Sequence, residues 1–160
     1  MIKSRLLTAA LCIPLVIAII GYGNEWMFFL FVSAVLLAGL WEFYKMTQPE
    51  APAATILIGI VLGAVILTAA YYDSGMASQG RFDLLPGACA LSFAAVYWYN
   101  MSRHSAQLPE SALRAMTQLC GIMYIPFLGS YLILLRGRPD GIVLIFLILF
   151  ATWAADTAAF

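Results

Sequence analysis

Charge is what this sequence has least of. Eight Lys and Arg and eight Asp and Glu are spread over 160 residues, so 10% of side chains are charged and the formal net charge is zero. Soluble domains are roughly a quarter charged and half apolar. Here the apolar share is 64% and the mean hydropathy is +0.94, values that exclude a water-soluble domain and specify an integral membrane protein. Without a basic excess there is no footprint for nucleic acid, and there is no acidic tail. Partners are to be sought in lipid.

Metal-binding side chains are also scarce. Cys12, Cys89 and Cys120 lie far apart inside apolar runs, without CxxC spacing or neighbouring histidines, and read as packing residues. The single histidine, His104, sits between Arg103 and Ser105 in a polar loop and reads as solvated. His and Cys therefore build no metal site. A Gly-rich phosphate loop, GxSxG, HExxH and a paired-carboxylate motif are all missing.

Long apolar runs are abundant. A spanning helix needs about 20 largely apolar residues, and six such runs are expected, at about Leu6–Tyr22, Glu25–Trp41, Ala53–Tyr72, Leu84–Tyr99, Leu119–Leu135 and Ile142–Phe160. The fold class expected is all-α, a polytopic transmembrane helix bundle forming one domain over residues 1–160. The basic start resembles a signal peptide, but Gly21-Tyr22-Gly23-Asn24 offers no small-x-small cleavage site. Trp41-Glu42-Phe43-Tyr44-Lys45 and Tyr97-Trp98-Tyr99 look like interfacial aromatic clusters, with Glu42 and Lys45 a solvated i, i+3 pair. Gly59 and Gly63 form a small-xxx-small face, read as packing within the bundle. Asp73 to Asp83 reads as a simple connection. After Pro109, helical spacing puts Ala112, Ala115, Met116 and Leu119 on one face and Arg114 and Gln118 on others, while Gly121, Pro126 and Gly129 predict a packing kink in the fifth span.

Asp156 breaks the last run. An acidic side chain at bilayer depth costs about 2.5–3.5 kcal/mol or more, so it marks a functional site by default. Ala154, Ala155, Thr157, Ala158 and Ala159 leave space around it. Lys3, Arg5, Lys45, Arg103 and Arg114 fall on one side of the expected topology, and Arg81, Arg136 and Arg138 on the other. That asymmetry favours a cytoplasmic N-terminus, and an even number of spans returns Asp156 to the same side. Phosphate chemistry near a membrane needs a cation clamp, commonly magnesium held by carboxylates. One carboxylate supplies only part of it.

Met1-Ile-Lys-Ser-Arg-Leu-Leu-Thr-Ala9 with Ile13-Pro14-Leu15-Val16, then Trp41-Glu42-Phe43, then Trp153-Ala-Ala-Asp156-Thr-Ala-Ala-Phe160, resemble in that order the bacterial phosphatidate cytidylyltransferase (CDP-diacylglycerol synthase) family. The resemblance covers this whole chain and the amino-terminal part of the family's fold. It implies an all-helical, multi-pass enzyme of the bacterial inner membrane, acting in phospholipid biosynthesis, that converts CTP and phosphatidic acid to CDP-diacylglycerol and pyrophosphate with Mg2+. Asp156 carries over as the catalytic and metal-proximal carboxylate, with Thr157 a neighbour of lower weight. Ala158 stands where many relatives have glycine. Family members continue with a Lys- and Gly-containing segment and a later signature with His-Gly-Gly and Asp-Arg, so the chain is expected to be incomplete and its activity alone is in question. Membrane lipid is an expected partner, nucleic acid is not, and a homo-oligomer is compatible with the reading. Two alternatives stand beside it. One is a small non-enzymatic assembly or transport subunit, whose Asp156 pairs with an Arg on a partner helix; the other is a different lipid-linked phosphotransferase, such as a polyprenol kinase.

Overall fold

The computed structural model describes residues 13–76, 84–103 and 108–159. Among them every regular element is helical, as the apolar runs require, because hydrocarbon offers backbone N–H and C=O groups no partner outside the helix. The elements are α1 (Ile13–Tyr22), α2 (Glu25–Thr47), α3 (Ala53–Met76), α4 (Leu84–Arg103), α5 (Leu108–Ile122), a π-helical turn (Met123–Phe127), α6 (Leu128–Arg136) and α7 (Gly141–Ala158). Four segments are long and apolar enough to cross a membrane: Glu25–Thr47, Ala53–Gly75, Pro109–Arg136 and Gly141–Ala158. Of the six expected runs, the first is described only from Ile13. The fourth forms α4, which is 20 residues long but diluted by Ser92, Asn100 and Ser102.

Local chemistry sets the helix ends. Asn24 caps α2, its Oδ1 accepting from the Met27 amide at 2.7 Å, and Glu25 in the first turn and Lys45 in the last oppose the macrodipole. The helix runs past Trp41 as far as Thr47, so the aromatic and charged cluster lies inside it. Lys45 Nζ sits 4.0 Å from the centre of the Trp41 ring, a cation–π contact that replaces the expected pairing with Glu42. Beyond Gln48, Pro49 and Pro52 prevent the helix from continuing.

Helix α3 is the central element. On one side Leu62, Ile66, Ala69 and Ala70 pack with Leu85, Ala88 and Val96 of α4 and Ala115, Leu119 and Ile122 of α5. On the other, Leu67 joins Ile20 of α1, Phe28, Phe29 and Val32 of α2, Ile133 of α6 and Ile145 of α7. Large apolar side chains such as Leu30, Val35, Leu57, Val61, Leu147 and Phe150 face outward. A soluble monomer would not leave so much apolar surface in water, whereas a bilayer covers it.

Close approach of the backbones depends on glycine. The Tyr44 ring, 1% exposed, is gripped between Gly59 of α3 and Gly121 of α5; a Cβ at Gly59 would lie 2.5 Å from the ring, and one at Gly121 2.9 Å. Gly63 is held equally tightly by Leu40 of α2 and Pro126 of the π turn, each 3.0 Å from where a Cβ would sit. The Gly59–Gly63 face therefore packs within the bundle, as expected. Within the fifth span the α-helical pattern gives way to a π turn, where Pro126 is buried. A proline supplies no amide to the ladder and displaces the carbonyl it would have bonded, a recognised cause of such bulges.

Polar contacts hold the two ends. At the end carrying Asn24 and Gly137, Arg136 donates to the Gly23 carbonyl at 2.8 Å and ties the α1–α2 turn to α6. Asp73 is not part of a loop: α3 continues through it, and its carboxylate accepts from the Leu84 and Leu85 amides at 2.9 and 2.8 Å. An acid on α3 thus caps the first turn of α4.

Gly59→Ala is expected to cost about 1–3 kcal/mol through overpacking against Tyr44. Gly87→Ala, whose Cβ would meet nothing within 4 Å, should leave stability unchanged or slightly raised. Thermal unfolding of the purified variants in detergent micelles measures both.

Candidate active site

Asp156 lies near the end of α7, and the way that helix is anchored decides what the carboxylate can reach. A four-residue turn from Gly137 to Asp140 sends α7 back along α6, with Ile133 and Ile145 meeting in one cluster. Ile142, Phe146 and Leu149 extend that contact. From Ala151 to Ala159 every residue is exposed. At about 1.5 Å per residue, the last two turns of α7 stand clear of the other described helices, with Asp156 on them.

Among the described residues nothing competes for the carboxylate. The hydroxyls of Thr152 and Thr157 donate to the carbonyls of Ile148 and Trp153, one turn back on the same helix. Phe146, Phe150 and Trp153 form a ladder along one face, with ring centres 6.5 and 6.1 Å apart. Asp156 makes no hydrogen bond or ion pair with another described residue. Among the described residues no three His, Cys, Asp or Glu side chains converge to hold a metal ion, so they build no complete metal cage. A single carboxylate does fit the way magnesium is commonly bound alongside nucleotides, by one or two carboxylates together with substrate phosphates. Of the other side chains the sequence singled out, Cys89 is half-buried against the α3–α4–α5 core and Cys120 is exposed. His104 and Cys12 lie outside the described residues.

The densest polar structure near this end was not legible as a site. Gln118, read from spacing as lying off the buried face of α5, is 1% exposed, while Met116, assigned to that face, is 61% exposed. The buried stripe is Ser111, Ala115, Gln118, Leu119 and Ile122. The expected apolar face is right in part: Ala115 and Leu119 are buried, whereas Met116 turns out and Gln118 in, because the spacing counts only apolar side chains and this face carries an amide and a hydroxyl. Gln118 Nε2 donates to the Thr55 carbonyl of α3 at 2.9 Å. Its Oε1 accepts from Asn100 Nδ2 of α4 at 3.0 Å, and its backbone carbonyl accepts from the Tyr44 hydroxyl of α2 at 2.9 Å. One residue thereby joins four helices. Gln48, in the α2–α3 turn, adds a bond to the Arg114 carbonyl at 3.0 Å. The available signal is two amides and a phenol, each within three residues of the end of a different apolar run.

This node carries no nucleophile and no acid, so its part is to fix this end of the bundle. A family model described as "Cytidylyltransferase family" matches residues 3–160. No curated protein and no solved structure matches the chain.

Gln118→Leu should destabilise the bundle by about 1–3 kcal/mol, because it deletes the buried amide bonds to α3 and α4 and leaves Asn100 Nδ2 with the Val96 carbonyl alone. Thr117→Val, which deletes a hydroxyl bonded only to the Leu113 carbonyl of its own helix, should be close to neutral. Unfolding midpoints in micelles separate the two.

Proposed function

Because the chain belongs to the cytidylyltransferase family, whose members use CTP as donor, we propose that its acceptor is phosphatidic acid and its product CDP-diacylglycerol, made for phospholipid biosynthesis. A phosphate oxygen of the lipid forms a bond to the α-phosphorus of CTP, the bond from that phosphorus to the bridging oxygen breaks, and pyrophosphate leaves. The lipid keeps its acyl chains in the bilayer while its headgroup meets a nucleotide arriving from water. A site at a membrane-helix end suits that geometry.

The observation that carries this reading is Asp156, a carboxylate on an exposed stretch of a membrane helix in a chain that matches the family from residue 3 to residue 160. Small side chains surround it, and no described residue is bonded to it. In the proposed site Asp156 would contribute one ligand to Mg2+ that enters with the nucleotide; bound there, the ion would offset phosphate charge. Any further ligands would come from outside the described residues. The aliphatic faces of α7 would orient the lipid beside it. Lys45 and Arg114 lie at the same end of the bundle, opposite Arg136 and Arg138, which supports a cytoplasmic N-terminus and a cytoplasmic Asp156, in the inner membrane if the source is bacterial.

Asp156→Asn is expected to lower CTP-dependent formation of CDP-diacylglycerol by at least 100-fold, the scale on which single charged active-site groups act, while membrane insertion is unchanged. Radiolabelled CTP with phosphatidic acid in mixed micelles provides the assay. Turnover of the variant at the wild-type rate would take Asp156 out of the site. Turnover with a polyprenol, and none with phosphatidic acid, would reassign the acceptor.

A further inference from the structure

The end of the bundle opposite Asp156 holds a second polar feature that the proposed reaction does not use. A half-open cavity of about 770 Å³ lies there, lined among others by Glu25 of α2, Asp73 and Ser74 of α3, Tyr131 and Leu134 of α6, and Arg138 of the α6–α7 turn. That volume is within the range of small-molecule sites, about 300–1,000 Å³. Its depth in the membrane follows from the spans themselves. Two of the four begin or end at Glu25 and Gly75, which line it, and the others end at Arg136 and begin at Gly141, flanking Gly137, Arg138 and Pro139 of its wall. The cavity sits where hydrocarbon gives way to water.

Among the described residues its walls carry unlike charges that are not paired with one another. Glu25 and Arg138 both line the cavity, and neither forms an ion pair with a described residue. Asp73 accepts from the Leu84 and Leu85 amides with its two oxygens, so backbone dipoles balance it. Among the described residues, Glu25 and Arg138, one acid and one base lining a ligand-sized space, are the complement of a zwitterion with one phosphate and one ammonium. Leu134 and the half-exposed Tyr131 offer the acyl chains an apolar exit along α6.

The geometry points to a binding site for a phosphodiester headgroup that bears an ammonium, with Arg138 on the phosphate and Glu25 on the ammonium. It is separate from the Asp156 end and independent of the acceptor proposed above. Such chemistry is supplied by an aminophospholipid or by its soluble headgroup, and the two sources are distinguishable.

The test uses the full chain in detergent micelles with dioleoyl phosphatidylethanolamine or dioleoyl phosphatidylglycerol, which share the phosphodiester and differ in the ammonium. Native mass spectrometry reads the lipid retained. Wild type should retain the ethanolamine lipid about tenfold better, the factor expected for one charge-assisted hydrogen bond. Glu25→Gln should abolish the preference, and Arg138→Gln should weaken retention of both lipids. Glu50→Gln, at the other end of the bundle, should change nothing, and circular dichroism checks that each variant keeps its helices. Displacement of the lipid by glycerophosphoethanolamine would identify the soluble headgroup as sufficient; resistance to displacement would identify the membrane lipid as the ligand. Equal retention of the two lipids by wild type, or retention unaltered in both variants, would overturn the site.

Discussion

One glutamine holds the cytidylyltransferase-family bundle in register. In hydrocarbon, apolar side chains gain little from choosing a helix over a lipid tail, so close packing and buried polar contacts must specify which helices meet and at what height. Gln118 does this for α2, α3, α4 and α5 together, through an amide that donates to one helix and accepts from another and a carbonyl that accepts from a third. A shift of one turn would break all three of these inter-helix bonds. The glycines at 59 and 121 are the steric counterpart, since Tyr44 reaches Gln118 only because neither carries a side chain.

The architecture was legible in the sequence because hydrophobic length is a strong signal. All-helical, multi-pass organisation, the intramolecular role of Gly59 and Gly63, and the break near Pro126 could all be read from residue type and spacing. Rotational placement could not. In a soluble helix the polar face is the outer face, but a membrane helix reverses or blurs that contrast, and α5 turns Gln118 inward and Met116 out. Asp73 was misplaced for a related reason: an acid beside Ser74 and Gly75 resembles the start of a loop, and only its two amide partners on the next helix reveal a cap.

The candidate site was legible in part. Asp156 stood out as a carboxylate in an apolar run, and the structure puts it on the projecting end of α7. Its companions were not legible, because the described residues bring no second acid to it. The contrast between the two ends of the molecule is informative. One carries an exposed carboxylate with no bonded partner among the described residues. The other carries walls of mixed charge already arranged around a cavity.

The bond from Asp73 to the first two amides of α4 also bears on how freely this protein can diverge. The lock between α3 and α4 is made by residues inside the helices, so position 73 and the first turn of α4 can change only together. A substitution that shortens or removes the Asp73 carboxylate leaves two amides at a helix start without their partner. Variation among descendants of this chain should therefore be least at that position.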